Sequence, residues 1–227
     1  MMEIPSIELF GLHITEPFTW ITNWLVAAFC FGFGHLLFHN KLADATQKFW
    51  AMFFFFIAVA SLTGGTAHGF ITYVGPNFHF AAWILTGIAI FSAEMAALQL
   101  VESPKFRQFL RLFIYAQLMI MVASVMYYHN FNSVRINSAI GLIGVVMPVS
   151  FVHYRKHGDK RSALIMLGVL SNMIPGTIHA FKISYNEWFN FNDISHILMI
   201  FCFFILYRGA GKNAALELAK KLSKAAA

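Results

Sequence analysis

Charge is scarce in this chain. Only 11% of its 227 residues are Asp, Glu, Lys or Arg, against 59% hydrophobic residues and a mean hydropathy of +0.65. A water-soluble domain carries about a quarter charged residues, so this balance excludes an ordinary soluble fold and indicates a membrane protein. Proline numbers 6; with 26 Phe and 17% aromatic residues the chain is neither a disordered segment nor a collagen-like repeat. The 2 cysteines, Cys30 and Cys202, fall inside apolar stretches, which excludes a disulfide scaffold and leaves the redox compartment unspecified. The net charge of +6 comes from Lys and Arg in loops flanking apolar runs, so it reads as a topology signal and not as a nucleic-acid interface. The last apolar run contains no lysine, which excludes a retinal Schiff base.

A helix crossing the roughly 30 Å hydrocarbon core needs about 20 mostly apolar residues. The sequence divides into seven such runs, at Phe18–Phe38, Phe49–Phe70, Phe80–Val101, Phe109–Tyr128, Val134–Tyr154, Ser162–Phe181 and Ile194–Tyr207. The last is short unless it begins near Phe189, which draws Asn190, Asn192 and Asp193 into its first turn. The expected fold is an all-α polytopic bundle of seven transmembrane helices. Residues 1–208 form its single domain, and 209–227 a Lys/Ala-rich cytoplasmic tail able to lie on the inner leaflet through Leu216, Leu218 and Leu222.

Fourteen Lys and Arg residues fall on one side of this arrangement and only Arg135 and Lys182 on the other. Basic residues are retained on the cytoplasmic side during insertion, so the expected orientation is N-terminus outside and C-terminus in the cytoplasm, at the cell or inner membrane. The N-terminal segment lacks a basic n-region and a small-residue cleavage site, and the first helix is expected to insert itself.

Ionisable groups inside a bilayer cost a few kcal/mol each and usually face the bundle interior, so ten histidines are the informative feature. His68, His79, His129, His179 and His196 sort to the outer side; His35, His39, His153 and His157 sort to the inner side. On the second helix Ser61, Gly64, Gly65 and His68 form a stripe of small residues ending at an imidazole, suited to close helix approach. Helix six carries Asn172, Pro175 and His179, where the proline frees a backbone carbonyl. Glu16 stands just before Pro17 at the start of helix one, and either Asn192 or Asp193 sits on one helical face with His196. His39, His153 and His157 sit among basic residues and are read as interfacial; His35 is deeper, and Glu94, the one carboxylate deep in a helix, is expected to hydrogen-bond it or to be protonated.

Imidazoles drawn from several helices beside a carboxylate are the donor set zinc prefers, and a catalytic zinc needs three protein ligands and one open position for water. The candidate ligands are His68, His79, His179 and His196, with Asp193 and Glu16 as candidate catalytic carboxylates that orient the water or move its proton.

These positions resemble the seven-helix metal hydrolase superfamily that includes the alkaline ceramidases and the adiponectin receptors. That family has an acidic motif at the start of helix one, Ser-x3-His in helix two, Asp about eleven residues further on, and His-x3-His in helix seven. Glu16, His68 and His196 match. His79 stands where the family has Asp, Gly64 replaces the serine, and Asn192 replaces the first histidine of the last pair. The resemblance implies a zinc-dependent hydrolase of lipid-like amides or esters, its third ligand supplied by His79, His179 or Asp193.

Two other readings compete. A b-type haem carrier needs one imidazole from each of two facing helices, with His68 and His179 or His129 on the outer side and His35 and His153 on the inner. A non-catalytic subunit or transporter would use Glu94, Asn172 and Pro175 as a polar path. Neither these readings nor the hydrolase reading specifies an oligomeric state; the lipid bilayer is the common partner.

Overall fold

The computed structural model describes residues 5–211. Seven of its helices are long and apolar enough to cross a membrane: α1 (Pro17–Phe38), α2 (Ala45–Gly69), α3 (Asn77–Leu98), α4 (Pro104–Tyr128), α5 (Asn132–His157), α6 (Lys160–Phe181) and α7 (Phe191–Ala210). The chain is therefore a multi-pass membrane bundle. The proposed surface helix of the tail, with Leu216, Leu218 and Leu222, lies outside the described residues.

Polar residues at the ends of the apolar runs start the helices. Asp44 accepts a hydrogen bond from the Gln47 amide at 2.9 Å, and Ser103 from the Phe106 amide at 3.4 Å with Pro104 in the first turn. Asp159 caps α6 through the Arg161 amide at 3.1 Å. Asn190 caps α7, which consequently begins at Phe191 and takes Asn192 and Asp193 into its first turn. These side chains satisfy amides that have no partner within the helix, a heavier need where water is scarce.

The helices run up and down in sequence order, but they do not pack as a simple series. α1 packs on α2 and α7, α2 on α1 and α3, α3 on α5, and α6 between α5 and α7, which closes a ring around a core including Val26, Phe54, Ala93, Val146, Val169 and Phe203. α4 stands outside this ring against α3 and α5. Two helices are irregular. α5 passes through a π-helical segment at Ile140–Val146, and α6 breaks at Asn172, whose side-chain amide donates to the Gly168 carbonyl at 2.8 Å. Glu94 faces the π-helical segment, where a Cβ on Gly141 would stand 3.1 Å from its carboxyl. The expected Glu94–His35 hydrogen bond is therefore not formed: His35 sits on α1, which packs on α2 and α7, and its ring lies 4.4 Å from that of His39.

Before α1 the chain forms a β-hairpin, β1 (Ser6–Leu9) with β2 (Leu12–Thr15), in the register Ser6↔Thr15. Phe10 and Gly11 make its turn with φ of 52° and 75°, the left-handed pair that matches strand twist. Ile14 is buried and the Thr15 hydroxyl donates to the His68 carbonyl at 2.5 Å, so the hairpin caps the end of the bundle where α2 terminates.

The stripe on α2 divides between two jobs. A Cβ on Gly65 would come within 2.8 Å of Asn23 and Trp24 and 3.0 Å of the Trp20 carbonyl, so only glycine permits this approach of α1. One residue earlier, a Cβ on Gly64 would meet Ala82 at an ordinary 3.7 Å. Gly65→Ala is therefore expected to destabilise the protein by about 1–3 kcal/mol, while Gly64→Ala leaves stability unchanged or raises it by up to about 1 kcal/mol through helix propensity. Thermal unfolding in detergent checks this; equal shifts for the two variants contradict the packing described.

Candidate functional site

At the hairpin end of the bundle, four histidines predicted from sequence, His68, His79, His179 and His196, line one cavity of about 550 Å³. They come from α2, α3, α6 and α7. His129 does not line it; its ring packs on Phe80 at 5.2 Å, at the left-handed end of α4.

His68 is held from below and above. Its Nδ1 lies 2.7 Å from Glu16 Oε2, and its ring meets that of His79 edge-on with centroids 4.9 Å apart. Glu16 reaches it because the chain turns sharply between hairpin and helix: Glu16 has φ of 42°, and its amide donates to the Pro5 carbonyl at 2.8 Å. A left-handed non-glycine residue costs on the order of 1 kcal/mol or more and persists only where its surroundings hold it. Burial pushes the Glu16 pKa up, but the hydrogen bond from His68 and the charges of His68 and His79 outweigh it, leaving Glu16 below the usual carboxylate range.

His196 is held by α1. Its Nδ1 lies 3.0 Å from the Thr22 hydroxyl, which also stands 3.3 Å from Asp193 Oδ1. Asp193 itself does not line the cavity. It is fully buried on the α1 side, accepting from the Asn190 amide at 2.7 Å and the Thr19 hydroxyl at 2.9 Å. Of the two residues expected beside His196, Asn192 faces the cavity and Asp193 faces away from it.

These contacts set the tautomers. Carboxylates only accept, so the Nδ1 of His68 carries its proton toward Glu16. The single Thr22 hydroxyl proton has the Asp193 carboxylate and the Thr19 carbonyl within reach at 3.3 Å; when it goes to the carboxylate, the hydroxyl oxygen accepts from Nδ1 of His196 at 3.0 Å. In its neutral form each ring then has Nε2 as its acceptor nitrogen, an arrangement in which the second nitrogen fixes the ring.

His179 is held by shape, between the rings of Phe191 at 5.2 Å and Phe131 at 5.5 Å, and its Nδ1 is buried with no hydrogen-bond partner. Among the described residues, no three His, Cys, Asp or Glu side chains stand close enough to share one metal ion. The donor types suit zinc; their present separation does not gather three of them at a point.

Sequence reasoning missed two sets of cavity residues and the pair that positions His196 from outside the cavity. That pair, Thr19 and Thr22, carried no signal beyond polarity. Trp83, Phe131, Met199 and Phe203 line the cavity, and as apolar residues in apolar runs they carried no signal of it. Arg135 and Lys182, read only for topology, both line the cavity. At the opposite end of the bundle His157 lies 2.7 Å from Glu102, and His153 3.0 Å from the Ser162 hydroxyl.

The fold and site together define a seven-helix membrane protein with a histidine-lined cavity at one end. The sequence profile of DUF6962, described as a family of unknown function, matches residues 18–215, and the chain belongs to that family. No curated protein and no solved structure matches the chain.

A depressed carboxylate pKa stabilises the folded state fully above the unfolded value, about 4.3 for Glu, and is lost as pH falls through the lower folded value. The melting temperature of the wild type is thus expected to drop as pH is lowered from about 5 to 3. Glu16→Gln is expected to lower the melting temperature at pH 6 and to flatten this drop. An unchanged pH profile in the variant would remove Glu16 from the balance.

Proposed function

We propose that this protein is a membrane-embedded hydrolase that cleaves an amide or ester bond in a lipid-like substrate at the histidine-lined cavity. One observation carries the reading: His68 and His196, each with Nδ1 engaged by an oxygen atom, line a single cavity whose deeper wall is apolar. The wall includes Ile57, Ala60, Met199 and Phe203. From Ile57 to His68 α2 rises about 16 Å, roughly half the hydrocarbon core. An acyl chain fits that depth, with its carbonyl at the level of the imidazoles.

In this mechanism Nε2 of His68 takes a proton from water as the water oxygen attacks the acyl carbon. The Glu16 carboxylate stabilises the resulting imidazolium through Nδ1. The proton then passes to the departing nitrogen or oxygen. His196, fixed through Thr22, holds the substrate carbonyl region or a second water from the facing helix. Asp193 acts through Thr22 as a positioning residue and does not reach the reacting atoms.

The donor set is compatible with zinc once the rings of His79 or His179 turn toward Nε2 of His68 and His196, and His179 stands beside Asn192, where the seven-helix hydrolases carry their additional histidine. Zinc would polarise the carbonyl and acidify water there. We place the hairpin end outside and the C-terminus in the cytoplasm, on the strength of the fourteen-to-two distribution of Lys and Arg.

Purified protein in nanodiscs, tested on fluorogenic acyl esters and amides, is expected to show turnover that falls about 100-fold or more in His68→Ala and survives in His39→Ala at the opposite end. Metal content measured on the same samples reports zinc separately. Absence of turnover across acyl amides and esters, or equal rates for His68→Ala and wild type, overturns the assignment.

A further inference from the structure

The cavity is charged in one sense only. Its lining includes Arg135, Lys182, four histidines, Asn23 and Asn192, and contains no Asp or Glu. Two carboxylates beside its lining residues are engaged, Glu16 with His68 and Asp193 with Thr19, Thr22 and the Asn190 amide, and Glu187, exposed on the loop after Lys182, does not line the cavity. Among the described residues, neither Arg135 nor Lys182 forms an ion pair, whereas Lys156 and Arg161 at the other end pair with Glu102 and Asp159. Arg135 and Lys182 are also the only Lys or Arg at the hairpin end among the described residues. Both are exposed, and they approach the cavity from different helices, Arg135 from the first turns of α5 and Lys182 from the residue following α6.

We propose that the cavity selects a net-anionic phospholipid, whose phosphate is held between Arg135 and Lys182 and whose acyl chain runs down the wall formed by Ala60, Ile57, Met199 and Phe203. This deepens the hydrolase reading by naming its substrate class, and rests on the same cavity. Two cations from separate elements match a phosphate, which offers several acceptor oxygens. A zwitterionic lipid fits worse. Its ammonium would enter beside two cations and four imidazoles, and no Asp or Glu lines the cavity to receive it. A free phosphate ion satisfies the mouth but leaves the apolar depth unused.

Binding separates this proposal from the hydrolysis. Protein in detergent is titrated with phosphatidylglycerol, phosphatidylcholine and inorganic phosphate, with thermal stabilisation and native mass spectrometry as readouts. Phosphatidylglycerol is expected to bind and stabilise, with phosphatidylcholine and inorganic phosphate each about tenfold or more weaker. Arg135→Gln combined with Lys182→Gln is expected to erase the preference between the two lipids. Arg135→Lys combined with Lys182→Arg keeps both charges and is expected to retain it, which controls for a folding defect. Selective binding retained by His68→Ala, with no turnover by the wild type, sinks the hydrolase reading and leaves this one standing. Equal affinity for both lipids, an unchanged preference in the glutamine variant, or binding of inorganic phosphate as tight as that of the lipid overturns it.

Discussion

The buried carboxylate of Asp193 is the contact on which the site's geometry depends. It lies at the first turn of α7, fully enclosed, and takes hydrogen bonds from the Asn190 amide, Thr19 and, at longer range, Thr22. Burying a carboxylate without a cation is tolerable only where several donors and a helix N-terminus replace the lost water, and all are present here. Thr19 and Thr22 belong to α1, so the same carboxylate that caps the last helix joins it to the first. That junction closes the ring of helices. It also aligns Thr22 with His196, making the ring's closure and the orientation of one imidazole a single event.

Glu16 plays the matching part for α2. Its left-handed backbone ends the hairpin and starts α1, and its side chain spans to His68 at the far end of α2. Here the strain is local and the partners that hold it are distant in sequence: Pro5 through the Glu16 amide, and His68 through the carboxylate. His68 and His196 are thus both oriented through Nδ1 by oxygen atoms that α1 holds in place. α1 contributes only Asn23 to the cavity lining, yet it sets the direction of the groups that do line it.

Much of this was legible in the sequence. Seven apolar runs became seven helices because the bilayer length requirement leaves few other solutions, and the capping residues Asp44, Ser103, Asp159 and Asn190 mark the starts. The gathering of His68, His79, His179 and His196 was legible from the up-and-down order of the runs, which places the end of one helix beside the start of the next. What periodicity does not report is rotation. Asn192 and Asp193 are adjacent in sequence, and which of them faces the cavity depends on how α7 turns against α1; Thr19 and Thr22 decide that, and threonines in an apolar helix carry no distinctive pattern. For the same reason Glu94 was assigned to the wrong neighbour: its depth is readable, but its facing toward Gly141 follows from ring order, which places α3 against α5 and away from α1. The hairpin escaped notice because a turn built on Phe10 and Gly11 has only one of the residues that favour such turns.

The walls of the cavity differ in firmness. On one side α1, α2 and α3 are tightly packed, with Gly65 fitted against Trp20 and Trp24, and α7 is fastened to α1 by Asp193. On the other, α5 carries its π-helical segment, and the last part of α6, Met173–Phe181, has Pro175 as its sole buried residue and leans chiefly on α7. Segments with few buried contacts open at lower free energy than those in the core. The division of residues follows that difference: His68, His79 and His196 stand on the firm wall, whereas Arg135, His179 and Lys182 stand on the yielding one. That division suits the proposed function: groups that must keep close relations to a reacting bond belong on rigid elements, while groups that would gather a headgroup tolerate a less firmly packed one.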